Sequence, residues 1–158
     1  VEGTGTLPPD QKLDPSRWIK FTSVPLNHLD GCLGWRIEYM GDAIAYCSDD
    51  EPLRHPNAQI VRHCKGVKLF IGDGQYTEEQ ISTMTQTFGH GTPRSVIEHA
   101  QAIDADLAIV HHHDPGHEDD KLAQMESDAN HWAHLRTFRG KVEFAKEGTT
   151  WTVGSVGL

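Results

Sequence analysis

The run Val110-His111-His112-His113-Asp114-Pro115 sets imidazoles at the end of an apolar stretch, 106–110, that reads as a short buried strand. Loops at the carboxyl edge of such a strand commonly build sites, and neutral imidazole is the commonest protein ligand for zinc and similar ions. Two further signals carry the same chemistry. His28 follows Pro25-Leu26-Asn27, and Asp49 follows the apolar run Ala43 to Tyr46. A carboxylate and two histidines at three strand ends are a candidate metal site.

Each of these residues also has a plainer reading. Asn27-His28 ahead of Asp30-Gly31 would suit an ordinary hairpin corner, and Asp49 would serve as a turn cap. His111 and His113 alternate to the face opposite His112, which makes them packing residues, or residues that support a ligand from behind, rather than ligands. His90 and Asp73 are both flanked by glycine. That setting allows close approach of a ligand but also serves a plain tight turn. Asp50 and Glu51 are expected to be solvated, as are His55, His63, His99, His117, His131 and His134.

The elements that must position these groups follow from patterning. Residues 1–17 are rich in Gly and Pro and read as a linker or poorly ordered lead-in, with one domain over 18–158. A chain of 158 residues suffices for one compact unit, burying roughly 70% of its unfolded surface. Strand-like runs at 19–26, 32–39 and 43–47 are separated by Asp30-Gly31 and Met40-Gly41-Asp42, which makes a small antiparallel meander. The pattern then changes to α/β. A helix is expected at 57–64 and a strand at 67–71. Helix starts are expected at Thr77 and at Thr92-Pro93, then a strand at 106–110. Leu122, Met125, Ala129, Trp132 and Leu135 share one stripe of a helix over 118–135. A closing hairpin pairs 142–145 with 150–153 around Glu147-Gly148.

A net charge of −9 and a pI near 5.6 argue against a broad phosphate-binding face, so long nucleic acid is not an expected partner. Bound divalent cations would nonetheless make a pocket locally positive, which suits a small anionic substrate. Three cysteines without Cys-x-x-Cys spacing indicate neither a disulfide framework nor a structural zinc ribbon, and a reducing, cytoplasmic setting is expected. No apolar run approaches the ~18 residues of a membrane span.

Taken in order, Leu26-Asn27-His28, Gly34 to Ile37, Tyr46 to Asp49, Ile71 to Thr77, Gly89-His90-Gly91-Thr92 and Val110 to Pro115 resemble the later motifs of metallo-β-lactamase-fold hydrolases. They are most similar to the branch holding phosphodiesterases and tRNA 3′-processing endonucleases. The resemblance covers about 21–153. It implies an α/β fold of the α+β sandwich kind: the second half of a metallo-β-lactamase-like αβ/βα fold, with a mixed sheet and helices on one face.

Residue by residue, the resemblance makes His28 a metal-binding histidine, Asp49 the carboxylate bridging two metals and His112 the last histidine ligand. His90 and Asp73 become a histidine and its acidic partner near the leaving group. Two divalent ions are implied, zinc first, with manganese or iron also suited to such ligands. The activity implied is metal-dependent hydrolysis of a phosphodiester or small anionic ester. Hydrolysis of β-lactams is disfavoured, because the sub-branch best known for it carries cysteine where Asp49 stands.

The family's first metal motif, His-x-His-x-Asp-His, does not occur in the chain, and His111-His112-His113-Asp114 has the wrong spacing. A half-sandwich exposes an apolar sheet face at a cost of roughly 25 cal/mol per Å². A partner is therefore expected: a second chain or segment supplying that motif, or an intertwined homodimer. Alone, the chain should bind metal weakly. The alternative function is a non-catalytic assembly or regulatory domain that retains a degenerate form of the fold.

Overall fold

The computed structural model describes residues 18–51 and 56–154. The lead-in assigned to 1–17, and His55, lie outside these. Six strands form one mixed sheet in chain order. β1 (Lys20–Leu26), β2 (Cys32–Tyr39) and β3 (Asp42–Cys47) make the antiparallel meander. β4 (Leu69–Asp73), β5 (Leu107–His111) and β6 (Lys141–Phe144) then add in parallel. The β2–β3 turn places Met40 and Gly41 at φ of 49° and 87°, as a tight hairpin turn with two left-handed residues requires.

Helices α1 (Ala58–Cys64), α3 (Pro93–Ile103) and α4 (Asp119–Leu135) connect the parallel strands, while α2 (Glu78–Thr83) is a single short turn ahead of α3. Their starts obey capping chemistry. Thr77 and Thr92 each accept from the backbone N–H three residues on, and Pro93 fills the first helical position, where no N–H is needed. α1, α3 and α4 cover one face of the sheet. Ile60, Cys64, Val96, Ile97, Ala100, Ile103, Met125 and Ala129 pack against Val24, Ala45, Cys47, Phe70, Ala108, Val110 and Phe144 in one core. Gly34 belongs to that face: a Cβ there would sit 2.7 Å from Cys47 Sγ. Leu135, expected on the buried stripe of α4, is exposed, and Ala133 takes the core position.

Strand alternation turns the other set of side chains to the opposite face. Phe21, Ile37, Ile44, Leu69 and Leu107 form one row across the register, and Trp35, Tyr46, Ile71 and Ile109 form the next. Among the described residues no helix covers these rows; Leu69 and Ile109 at their centre are buried, whereas Phe21, Trp35 and Tyr46 remain 57%, 41% and 38% exposed. Among the described residues no helix is long and apolar enough to cross a membrane.

Three expectations are corrected. β4 spans Leu69–Asp73 rather than 67–71: it starts late because Val67 N–H is spent on Cys64 O in the turn after α1, and it runs on to Asp73 in register with β5. The closing hairpin does not form: β6 pairs in parallel with β5, and 150–153 is not a strand, Trp151 instead donating from Nε1 to Glu143 Oε2 at 2.7 Å. His99, expected to be solvated, is 3% exposed. It lies on the buried stripe of α3 and stacks on Phe70.

The His99 ring is neutral in this setting. Nδ1–H donates to Ser95 O at 2.9 Å, and Nε2 accepts from Asn57 N–H at 2.7 Å. Burial pushes its pKa below the ordinary histidine value, against an opposing pull from Asp50, and burial does the same to His111 and His113. The unfolded chain takes up protons as the pH falls below about 6.5, while the folded rings resist. Stability is therefore greatest above that pH and is lost on acidification. Melting curves at pH 7.5, 6.5 and 5.5 should show this decline, and His99→Gln should flatten it. Equal slopes for the two proteins would rule out the assignment.

Candidate metal centre

The carboxyl ends of the parallel strands β3, β4 and β5 come together on one edge of the sheet, where open α/β sheets hold ligands. Asp49 lies two residues past β3, Asp73 is the last residue of β4 and His112 the first after β5. His90 arrives on the loop between α2 and α3, just before the Thr92 cap. The chain turns sharply at two of these positions. Asp49 has φ 59° and His112 φ 61°, the left-handed region that non-glycine residues enter at a cost of roughly 1–2 kcal/mol. Each kink redirects a side chain at the strand end, which places backbone strain at the site itself.

Asp73 is the buried centre of the group, 3% exposed. Its Oδ1 accepts from the backbone N–H of Gln75 at 3.1 Å and of Gly91 at 3.3 Å. Its Oδ2 accepts from Asp49 N–H at 3.1 Å and lies 2.7 Å from His90 Nδ1. His112 Nδ1 is 3.3 Å from the same oxygen and 3.2 Å from Asp49 Oδ1, which is 3.7 Å from His90 Nδ1. Asp49, Asp73, His90 and His112 thus each offer a donor atom, all within 4.8 Å of one another. Two carboxylates and two imidazoles are a donor set suited to zinc, manganese or iron.

The structure brings together four of the five site residues named from sequence and sets His28 beside them. A Cβ on Gly89, at φ 91°, would lie 2.4 Å from His28 Cδ2, and the His28 and His90 ring centroids are 5.7 Å apart. His28 therefore abuts the His90 loop and stands outside the four-donor cluster. His111 packs edge-on against Tyr46, and His113 stacks on Phe144 with Nε2 3.3 Å from Ala145 O.

Two contacts were not foreseen. Cys32 Sγ lies 3.9 Å from Asp49 Oδ2, and burial, then the Asp49 charge, push its thiol pKa up. The meander carried the signal, since it brings the start of β2 beside the end of β3. Asp50, expected to be solvated, is 5% exposed, because the kink at Asp49 reverses the alternation and turns its carboxylate inward.

A sequence model of the beta-lactamase superfamily domain matches residues 4–113. The chain belongs to the beta-lactamase superfamily. No curated protein sequence matches it. Among solved structures, the superfamily fold is shared with the metallo-beta-lactamase fold protein YhfI from Bacillus subtilis at 20% identity and TM-score 0.63, over 92% of this chain and 54% of that one. The short form of human tRNase Z aligns at 15% identity and TM-score 0.61, over 90% and 46%. Zn(2+)-bound PqqB from Methylobacterium extorquens aligns at 18% and 0.51, over 85% and 50%. The chain thus spans about half the length of these superfamily structures. The mixed sheet with helices on one face is the arrangement the motif order implied.

Proposed function

We propose that this chain is one half of a metal-dependent hydrolase that cleaves a phosphodiester or small anionic ester at a dinuclear centre, with zinc the first candidate and manganese or iron suited to the same donors. The observation that carries the reading is the convergence of Asp49, Asp73, His90 and His112 within 4.8 Å at the ends of three parallel strands and one loop. With His90 and Asp73 engaged with each other, Asp49 and His112 are few ligands for two ions. The uncovered sheet face and the half-length match to the solved structures support a complementary half that brings the His-x-His-x-Asp-His ligands, as a second chain, another segment or an intertwined copy. The three free cysteines suit a reducing, cytoplasmic setting.

When bound, the ions would supply a deprotonated water at neutral pH and stabilise charge on the reacting ester. Asp49 and His112 would help hold them. His90 has a separate task. With Nδ1–H donated to Asp73, the ring is held in one orientation and its Nε2 is left to deliver a proton to the departing oxygen.

The test uses the assembly purified with its complementary half: metal content per chain, and hydrolysis of bis(p-nitrophenyl) phosphate against an ester with an alkyl leaving group. His90→Ala should cost about 100-fold with the alkyl group, which needs protonation, and much less with p-nitrophenolate, which does not. An assembly that retains less than one metal per chain and hydrolyses neither ester defeats the reading in favour of a non-catalytic assembly domain.

A further inference from the structure

Asp50 is a buried carboxylate with no lysine or arginine partner among the described residues, and such a group is costly unless it is well hydrogen-bonded. Its Oδ1 accepts from Asn27 backbone N–H at 2.9 Å and from Asn57 Nδ2 at 3.4 Å. Among the described residues its Oδ2 has no hydrogen-bond partner, and it stands 3.9 Å from His99 Nε2. That nitrogen already accepts from Asn57 N–H, so it cannot donate to the carboxylate. Asp50 also lines a cavity of about 10 Å³ with Asp73, Ser95 and His99, space for roughly one water.

What Asp50 does is join the backbone segments that carry the site. It is bonded to Asp49 in the chain. Through Oδ1 it holds Asn27, the residue before His28, and Asn27 is further tied to Glu51 by Asn27 Nδ2 to Glu51 O at 2.7 Å and Glu51 N–H to Asn27 O at 2.9 Å. On its other side, Asp50 O would be 3.3 Å from a Cβ at Gly91, the residue after His90. Three segments bearing His28, Asp49 and His90 thus meet at one residue that offers the centre no donor of its own.

We propose that Asp50 is a positioning residue of the metal centre: its carboxylate fixes the β1 end, whose His28 packs against the His90 loop, relative to the β3 end bearing Asp49, and so sets how Asp49 and His90 face each other at the centre. This rests on the metal-centre reading above. The role is geometric, so it needs the Oδ1 acceptor and not the charge. Asp50→Asn keeps the acceptor at the right place, whereas Asp50→Ala removes it and frees Asn27 N–H.

The experiment, on the assembly purified with its complementary half, compares wild type, Asp50→Asn, Asp50→Ala and the core variant Ile103→Val, with Asp49→Ala as the ligand control. Two readouts are taken: cobalt(II) affinity with its visible absorption spectrum, and hydrogen exchange of the Asn27 amide. Asp50→Asn should bind cobalt within about twofold of wild type with an unaltered spectrum. Asp50→Ala should bind about tenfold more weakly with an altered spectrum and a faster-exchanging Asn27 amide, in the range seen for residues that orient ligands. Ile103→Val, a fully buried core position that does not line the Asp50 cavity, loses stability and should leave cobalt affinity unchanged. The proposal is overturned if Asp50→Ala binds within twofold of wild type, or if Asp50→Asn is as weak as Asp50→Ala, which would make charge the determinant. A wild-type assembly that takes up no more cobalt than its Asp49→Ala counterpart defeats the metal reading instead. The Asn27 exchange and the His28 ring resonances then decide the clamp alone, which fails if neither differs between Asp50→Asn and Asp50→Ala.

Discussion

Replacing Asp49 with Asn is expected to lower metal affinity by more than about 100-fold while leaving the fold intact. The argument starts from the backbone. Asp49 sits at φ 59°, where Asn is as well tolerated as Asp and Ala is not. The amide therefore preserves the turn and the side-chain shape, and removes only the negative charge and one acceptor oxygen. That oxygen matters because Asp49 Oδ1 is the group 3.2 Å from His112 Nδ1 and 3.7 Å from His90 Nδ1, while Asp73 has its two oxygens engaged by three backbone N–H groups. Asp49 is the carboxylate left free to take a cation. Losing a ligand charge forfeits several kcal/mol of interaction with a divalent ion, and each 1.36 kcal/mol is tenfold. Asp49→Ala should lose metal equally and about 1 kcal/mol of stability besides, from strain in the left-handed region. Calorimetric zinc titration beside thermal melts checks both. Wild-type zinc affinity in Asp49→Asn would show that the four-donor cluster is an ion-pair network and not a metal site.

Much of this arrangement was legible from residue order, because strand ends and caps are local signals. The Thr92-Pro93 start of α3 needs only an oxygen acceptor followed by a ring with φ already set, and the structure contains both. Asp49, Asp73 and His112 sit where apolar runs stop. What was missed depends on contacts distant in sequence or on a single backbone kink. Asp50 looks solvated, like Glu51, until φ at Asp49 is known. His99 falls three residues after Val96 and four before Ile103 on the helical period, so its burial was readable in the pattern; what could not be read was that Asn57, 42 residues earlier, supplies the N–H that keeps its ring neutral. The closing hairpin failed for a related reason. A turn at Glu147-Gly148 is a sound local inference, and Gly148 does have φ 76°. Whether the following segment pairs is settled by competing contacts such as the Trp151 bond to Glu143.

Phe70→Ala should be the most destabilising single core substitution and should also loosen the centre. Phe70, 1% exposed on β4, is flanked by Ala45 and Ala108 across the register, so no large neighbour on the adjacent strands can fill the space it leaves. Truncating a buried phenylalanine costs about 3–5 kcal/mol, against total stabilities of about 5–15 kcal/mol. At roughly 2–4 °C per kcal/mol in a domain of this size, the melting temperature should fall by about 10 °C. The functional consequence follows from position. Phe70 stacks on His99 with ring centroids 5.7 Å apart and borders the cavity that Asp50 and Asp73 also line. Its removal enlarges the space directly beneath both carboxylates. Asp73 then loses part of the packing that aims Oδ2 at His90, and metal affinity should fall even at temperatures where the chain remains folded. Phe70→Leu fills most of the volume and should recover most of both losses. A Phe70→Ala protein that melts within about 3 °C of wild type, or that binds metal normally while melting 10 °C lower, would separate the floor of the sheet from the site it supports.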